Sequence, residues 1–346
     1  AALKLEFTYQ LEFAEDLTLT GFDAPEIDAV LQFGEAEEDG DEADAFDEGD
    51  EPTVSQPGDL WLLGKHRLLC GNAREPKDLE KLMAGAQAAQ ILSDPPFNVP
   101  VSGHVSTVAG KHPEFHEASG EMTTMEFEDF LVMTIGNGLA HLRKGGLLYL
   151  FMDWRHVDEL RATLRRLGLE QINLAIWVKP HGGMGSLYRS RHELIFVVRR
   201  KGENHQNNVE LGKHGRNRSN VWEFGGASGG PKSAEDDFDA HSTVKPVKLL
   251  QEAMLDVTTA GDGVLDCFVG SGSTILAAER VHRICYGLEI SPHYIDVAIR
   301  RWEEMTGSKA ILEETGQTFL EVAASRVVEH ASDPAMEADS VSAVEE

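Results

Sequence analysis

Residues 263–290, GVLDCFVGSGSTILAAERVHRICYGLEI, decide the fold because a predicted strand (263–268), a predicted helix (273–281) and a second predicted strand (283–290) follow one another. The alternation runs through the chain from residue 57. It starts with a predicted hairpin around Gly64 and Lys65. Further strands are predicted at 89–94, 146–152, 172–179 and 193–199, and helices at 76–84, 125–142, 156–167, 246–258 and 292–306. This pattern favours an α/β fold with a mainly parallel sheet covered on both faces, whose ligands bind beyond the carboxyl ends of the strands.

Gly270 and Gly272 follow a strand at the start of a helix, where small residues let the backbone approach a ligand. A P-loop requires Lys after the last glycine, but residue 273 is Ser, and a dinucleotide site requires a third glycine where Ile275 stands. S-adenosylmethionine has a carboxylate and no phosphate, so it requires neither feature. Two glycines also fit an ordinary strand-to-helix turn, so this loop favours S-adenosylmethionine without deciding the matter.

Acidic and aromatic residues near the glycines suit the same ligand. Asp266 and the face of Phe268 would favour a sulfonium cation. Glu289, at the end of the next strand, would accept hydrogen bonds from ribose hydroxyls.

The stretch ILSDPPFNVPVSG, residues 91–103, is the second candidate site. Asp94 follows a predicted buried strand, and Pro95 and Pro96 restrict the backbone and remove two amide donors. A carboxylate with a fixed carbonyl beside the flat ring of Phe97 suits an exocyclic amine on a planar base. Hydrogen bonds from both amine protons would localise the nitrogen lone pair for attack on a methyl donor, and a duplex base must first be flipped out. A strand-ending Pro-Pro turn with a solvated Asp is the alternative.

Charge is distributed unevenly along the chain. The 346 residues have a formal net charge of -28, but residues 1–56 hold 18 acids against Lys4, and residues 311–346 hold 9 against Arg326. Residues 179–220 hold nine Lys or Arg and three Glu, so this segment is basic enough to follow a phosphate backbone, although a solvated face is the alternative. The candidate DNA contacts are Arg189, Arg191, Arg199, Arg200, Lys201, Lys213, Arg216 and Arg218.

The remaining composition narrows the class of protein. Cys70, Cys267 and Cys285 form no Cys-x-x-Cys pair, so we expect neither disulfides nor a zinc site. Neither a run of about 18 apolar residues nor a signal peptide is present, so we expect a cytoplasmic protein without a membrane partner. The predicted loop 98–121 contains His104, His112 and His116, but their spacing crosses Pro113 and does not fit a metal motif.

With these motifs in order, the chain resembles the β-group amino DNA methyltransferases, which modify adenine N6 or cytosine N4. DPPF (94–97) resembles their catalytic motif, DCFVGSGST (266–274) their cofactor motif, and AHSTVKPVKLL (240–250) the segment that lines the methionine end. Residues 17–28, LTLTGFDAPEID, resemble the end of a ParB-like module. From this stretch we predict a short strand followed by a helix with Asp23 as its N-cap. The resemblance implies a Rossmann-like S-adenosylmethionine-dependent methyltransferase fold with a mainly parallel seven-stranded sheet, acting on double-stranded DNA. It also makes a homodimer plausible.

The resemblance assigns roles to individual residues. Asp94, Pro95, Pro96 and Phe97 would be catalytic. The cofactor site would contain Asp266, Phe268, Gly270, Ser271, Gly272, Thr274, Glu289, Asn72, Thr243 and Lys245. Asn72 and Cys267 stand where the family often has Asp and Pro.

Four regions are predicted: a remnant of an upstream module (1–33), an acidic disordered linker (34–56), a methyltransferase domain (57–310) and an acidic C-terminal tail (311–346). The target-recognition insert is expected at about 181–239.

Adenine N6 is the favoured target because Asp, rather than Ser, begins the catalytic motif. Cytosine N4 is the first alternative, and a non-catalytic DNA-binding regulatory protein with the same fold is the second. Methylation of cytosine C5 is disfavoured because no Cys follows a proline.

Overall fold

The computed structural model describes residues 2–13, 16–32, 44, 52–99, 118–180, 182, 187–213, 217–225 and 244–331, with side chains to residue 326. Its strands are β1 Leu60–Leu63, β2 His66–Cys70, β3 Ala88–Ser93, β4 Leu142–Met152, β5 Leu169–Val178, β6 His192–Arg200, β7 Val221–Glu223, β8 Gly263–Asp266, β9 Ile284–Glu289 and β10 Ile311–Leu312. Its helices are α1 Ala2–Glu12, α2 Ala24–Leu31, α3 Pro76–Met83, α4 Thr124–Leu139, α5 Val157–Arg166, α6 Val247–Leu255, α7 Ser273–Arg280, α8 Pro292–Thr306 and α9 Phe319–Ala331. The α/β class is confirmed, and the predicted strands and helices of the body form with shifts of a few residues.

The described strands form one sheet in the order β10-β1-β2-β9-β8-β3-β4-β6-β5-β7. This sheet has ten strands rather than the predicted seven, and it is mixed, because β6 is antiparallel to both β4 and β5. The extra strands β1, β10 and β7 lie towards the two edges and are two to four residues long. Strands as short as β7 and β10 carry too little alternation to be predicted from sequence.

Strands β2, β9, β8, β3 and β4 are parallel neighbours, so their carboxyl ends meet along one edge of the sheet, here called the carboxyl edge. Cys70 pairs with Glu289 in register, and Ile91 pairs with Leu265. Antiparallel β6 begins at this edge and ends at the opposite one, the amino edge. The glycine loop and the DPPF segment therefore leave the sheet on the same side.

The core has two layers because β4 alternates its side chains between the two faces of the sheet. Leu147, Tyr149 and Phe151 pack with α6, α7 and α8, whereas Leu148 and Leu150 pack with α3, α4 and α5. Helices thus cover both faces, as expected for a buried sheet.

The N-terminal residues 2–32 pack against the body. Asp23 caps α2 through a capping box, as predicted, but the strand predicted before it is wrong, because Leu17–Thr20 form a 3-10 turn capped by Asp16. Asp28 accepts two hydrogen bonds from the buried guanidinium of Arg283, at 2.5 and 3.0 Å. Lys65 Nζ donates to the carbonyl of Leu11 at 2.6 Å. Side-chain contacts therefore join this module to the body.

The segment predicted as an acidic tail begins as part of the fold. Residues 311–312 form β10 at the sheet edge, and Phe319 and Val322 of α9 are buried in the core. Arg326 donates to both carboxylate oxygens of Asp59, at 2.6 and 3.0 Å. The boundary predicted at residue 310 is therefore too early, because the four apolar positions Ile311, Leu312, Phe319 and Val322 lie among acids that dominate the local composition. No helix within the described ranges has the length and apolar content needed to cross a membrane.

Candidate active site

The catalytic and glycine motifs meet where β3 and β8 end side by side. Ser93 Oγ donates a hydrogen bond to Asp266 Oδ1 at 3.2 Å, and Asp94 follows directly. Pro95 and Phe268 line one small apolar cavity, together with Cys267. The two strongest sequence motifs therefore form one site.

The two glycines of the loop have different physical roles. Both have a positive φ, +52° at Gly270 and +88° at Gly272. A Cβ at Gly272 would lie 2.7 Å from Ala298 Cβ on α8, whereas a Cβ at Gly270 would point into open space. Gly272 therefore permits close helix packing, and Gly270 leaves room in front of the loop for a ligand.

Asp266 anchors the loop. Besides the bond from Ser93, it accepts hydrogen bonds from Thr274 Oγ1 at 2.6 Å and from the Phe268 amide at 3.0 Å. Burial raises the pKa of Asp266 to about 7, although Thr274 and the other donors oppose this shift. Arg301 donates to the carbonyl and hydroxyl of Ser271, at 2.6 and 2.9 Å. Asp266, Thr274 and Ser271 thus fix the shape of the loop.

Glu289 and Asn72 lie at the carboxyl ends of β9 and β2. Glu289 Oε2 accepts from the Gly270 amide at 3.0 Å, and its Oε1 accepts from the Ser291 amide at 2.9 Å. The carbonyl of Glu289 accepts from the Gly71 amide at 2.9 Å, which brings Asn72 beside it. Asn72 Oδ1 accepts from the Arg74 amide at 2.9 Å. The predicted cofactor residues of these two strands are therefore adjacent.

Asp94 presents one engaged and one free carboxylate oxygen. Its side chain is 27% exposed and contacts Lys245 Nζ through Oδ2. Its Oδ1 is buried and has no hydrogen-bond partner among the described residues. Burial raises the pKa of Asp94 to about 6, and Lys245 opposes this shift. Buried oxygens are normally satisfied, so Oδ1 is a ready acceptor for a ligand donor.

Lys245 lies over the aromatic ring of the catalytic motif. Its Nζ is 5.6 Å from the ring centre of Phe97 and 5.2 Å from that of Phe151. The resemblance assigned Lys245 to the cofactor, and the structure shows its Nζ in contact with Asp94 Oδ2. Its expected companion Thr243 lies outside the described residues, as does the segment with His104, His112 and His116.

The described residues of the basic segment do not form one surface, and this corrects the sequence interpretation. Arg189 and Arg191 are exposed just before β6, at the carboxyl edge. The end of β6 places Arg199, Arg200 and Lys201 at the amino edge, where Arg200 donates to the carbonyls of Leu139, Leu142 and Arg143. Because β6 runs from the carboxyl edge to the amino edge, the basic residues before it and those at its end lie at opposite edges of the sheet.

The other basic residues have separate environments. Arg218 is paired with Glu252 and Asp256, and its guanidinium lies 5.0 Å from the ring centre of Trp222. Lys213 pairs with Glu210 at 2.7 Å on the surface. Arg216 lies outside the described residues. Arg189 and Arg191 are therefore the predicted DNA contacts that the structure places at the edge where Asp94 lies.

Sequence reasoning missed two polar residues near Asp94. Glu193 is a buried acid between Lys179 and Lys245. Asn98 has a φ of +53°, accepts from the amides of Gly120 and Met122, and donates to the carbonyl of Met122. The sequence does contain a signal for Glu193. It is an acid at the start of a predicted buried strand, and a buried charge requires a partner.

Comparisons with known proteins match two parts of the chain. A family model described as "DNA methylase", for the N6/N4 group, matches residues 89–300, and a model described as "ParB-methyltransferase HTH domain" matches residues 1–57. The second match confirms the ParB-like resemblance and extends through the region predicted as an acidic linker.

Curated relatives are similar over most of the body. The type II methyltransferase M.HpaI of Haemophilus parainfluenzae is 26% identical over 71% of this chain and 77% of its own length. M.HinfI of Haemophilus influenzae is 26% identical over 62% of this chain, and the match covers 63% of M.HinfI. Among solved structures, the PvuII DNA methyltransferase (cytosine-N4-specific) aligns with a TM-score of 0.52 at 15% identity, covering 75% of this chain and 92% of that one, which supports the fold alone.

Proposed function

The chain belongs to the N6/N4 DNA methylase family, and from this membership we propose that it transfers a methyl group from S-adenosylmethionine to the N6 amine of a flipped adenine in double-stranded DNA. The observation that carries the proposal is the buried Oδ1 of Asp94, which has no hydrogen-bond partner among the described residues. The other oxygen, Oδ2, contacts the Lys245 ammonium that lies over the ring of Phe97. An exocyclic amine supplies the hydrogen-bond donor that Oδ1 lacks, and a base supplies the planar surface for Phe97.

The glycine loop fits S-adenosylmethionine. The open space before Gly270 leaves room for a ligand at the start of α7. Glu289 offers carboxylate oxygens to ribose hydroxyls, and Asn72 offers a polar side chain on the neighbouring strand. When bound, the cofactor supplies a methyl group on a positively charged sulfur.

The chain's own residues orient the amine. Asp94 Oδ1 and the Pro95 carbonyl accept one hydrogen bond each from the two amine protons, which localises the nitrogen lone pair. With the cofactor held beside Gly270 and Glu289, this nitrogen would take the methyl group, the sulfur would keep the electron pair of the broken S–C bond, and the released amine proton would pass to solvent. Positioning would supply most of the acceleration, because the residues that would hold the base and the cofactor lie at the ends of adjacent strands.

Cytosine N4 is the second candidate target. Its amine presents the same two donors on a planar ring, so Asp94 and Phe97 accommodate it by the same contacts. The Asp at the start of the motif favours adenine.

The DNA surface is proposed at the hairpin between β5 and β6. Arg189 and Arg191 are exposed there, next to Leu187 and Tyr188, whose exposed fractions are 82% and 84%. Guanidinium groups bind phosphates, and an exposed aromatic side chain can stack on a base. We further propose that the protein works in the cytoplasm. The homodimer stays a prediction for sedimentation velocity.

Transfer of a labelled methyl group from S-adenosylmethionine to unmethylated duplex DNA tests the proposal. We expect incorporation by the wild type and none by Asp94→Asn, while Asp153→Asn, at the end of β4, serves as a matched control that retains activity. Equal incorporation by wild type and Asp94→Asn would remove Asp94 from the mechanism.

A further inference from the structure

Glu193 is a buried carboxylate held between two ammonium groups. It begins the buried part of β6, and its side chain is 10% exposed. Its Oε1 lies 2.5 Å from Lys179 Nζ, and its Oε2 lies 3.2 Å from Lys245 Nζ. Lys245 in turn contacts Oδ2 of Asp94. Four charges of alternating sign thus extend from Asp94 through Lys245 and Glu193 to Lys179, and we call them the charge chain.

The two inner members of the charge chain, Lys245 and Glu193, stabilise each other in the ionised form. Burial alone would raise the pKa of Glu193, but Lys245 and Lys179 hold it below its usual value. Burial would lower the pKa of Lys245, but Asp94 and Glu193 raise it above its usual value. Because a single buried charge is costly, each member depends on its neighbours for its position and its charge.

We propose that Glu193 is a positioning residue for the methyl transfer: it holds the Lys245 ammonium against one oxygen of Asp94, so that the other oxygen is left for the target amine. Without the Glu193 carboxylate, Lys245 would have Asp94 as its one remaining anionic partner in the charge chain and would compete with the amine. The inference rests on the proposed function.

The same carboxylate anchors the base of the hairpin that bears the candidate DNA contacts. Lys179 lies at the end of β5, its carbonyl accepts from Arg191 Nε at 2.7 Å, and its amide donates to the Arg191 carbonyl at 3.0 Å. Its ammonium lies 4.9 Å from the ring centre of Trp177. Glu193 therefore lies within a series of three ion pairs that connects the hairpin to Asp94.

The charged groups that face Asp94 determine how it titrates. They are Lys245 before α6, Glu193 on β6, Lys179 at the end of β5 and Asp266 at the end of β8. The negative charge of Glu193 raises the pKa of Asp94, and the positive charge of Lys179 lowers it. Removing the charge of Glu193 should therefore lower the pKa of Asp94, and removing the charge of Lys179 should raise it.

The test compares Glu193→Gln with Glu170→Gln, a matched control in which the exposed carboxylate paired with Arg199 is removed. Carbon-13 NMR of the aspartate carboxyls in cofactor-free protein follows Asp94, whose signal is identified with Asp94→Asn. We expect the Asp94 midpoint to fall by about half a pH unit or more in Glu193→Gln, to rise in Lys179→Gln and to stay in place in the control. The expected kcat of Glu193→Gln is ~10- to 100-fold below wild type, with the KM for S-adenosylmethionine unchanged within about twofold.

Glu193→Asp, which keeps the charge, should restore the wild-type midpoint more closely than Gln does. If Glu193→Gln does not fold, Lys179→Gln and Glu193→Asp still decide the matter by NMR. Unchanged titration and kcat in Glu193→Gln, with methyl transfer by the wild type, would overturn this inference alone. Absence of methyl transfer by the wild type would overturn the proposed function.

Discussion

Ser93 and Asp266, the last residues of neighbouring strands β3 and β8, are joined by a hydrogen bond of 3.2 Å between Ser93 Oγ and Asp266 Oδ1. This bond links the strand that positions Asp94 to the strand that leads into the glycine loop. Asp266 is therefore hydrogen-bonded both to the strand that positions Asp94 and to the glycine loop.

Asp266 should make stability depend on pH. Burial raises its folded-state pKa from 3.8 to about 7, so the folded protein binds a proton more tightly than the unfolded chain. The contribution is fully present below about pH 4 and is lost as the pH rises through 7, a change of up to about 4 kcal/mol. Asp266→Asn should therefore gain stability relative to wild type as the pH rises from 4 to 8, measured by urea unfolding. A constant difference between the two proteins would contradict the assignment.

Substitutions at the two glycines of the loop should have different effects, one mainly on cofactor binding and the other mainly on stability. Gly272→Ala forces a Cβ against Ala298, so we expect a loss of roughly 1–3 kcal/mol of unfolding free energy. The Cβ in Gly270→Ala would meet open space, so this variant should lose only about 1 kcal/mol of unfolding free energy, because of its positive φ. At a temperature where both variants are folded, Gly270→Ala should weaken S-adenosylmethionine binding more than Gly272→Ala does. Calorimetry and urea unfolding measure the two effects, and the reverse ranking in either measurement would refute these roles.

The pair formed by Asp28 and Arg283 should stabilise the protein through the N-terminal module. Asp28→Ala leaves a buried guanidinium without its carboxylate, which should cost about 3–5 kcal/mol. The double variant Asp28→Ala with Arg283→Met should recover part of this loss. Thermal unfolding measures both, and an unaffected Asp28→Ala would mean that residues 2–32 are separable from the body.

DNA binding should depend on the carboxyl-edge end of the basic segment. Arg189→Glu should weaken binding and reduce the salt dependence by about one unit of slope. Lys201→Glu changes the same charge at the amino edge and is the control, for which we expect no change. Titration of fluorescent duplex DNA at several salt concentrations compares the variants. Equal losses for both would favour a diffuse electrostatic surface.

The sequence predicts the centre of the site well because that centre follows local rules. The DPPF segment directly follows the buried strand β3, and Gly270 lies four residues after the end of β8, so the parallel order of these strands brings the two motifs to one edge. The cap at Asp23 was equally local and was confirmed.

The missed features depend on tertiary direction and on pairing. Arg199 and Arg200 are in the same basic run as Arg191, but only the antiparallel orientation of β6 shows that they face away from the site. Glu193 becomes informative only once Lys179 and Lys245 lie on either side of it. Strand β10 is two residues long and forms because β1 is available beside it.

The most direct test of the central claim is nucleoside mass spectrometry of DNA from an unmethylated host that expresses the chain or its Asp94→Ala variant. We predict N6-methyladenine with the wild type and none with Asp94→Ala, although the variant should still bind S-adenosylmethionine. Detection of N4-methylcytosine instead would show that the target is cytosine N4. DNA without either modified base, from a host that contains the folded wild-type protein, would contradict the assignment of Asp94 as the residue that orients a DNA amine.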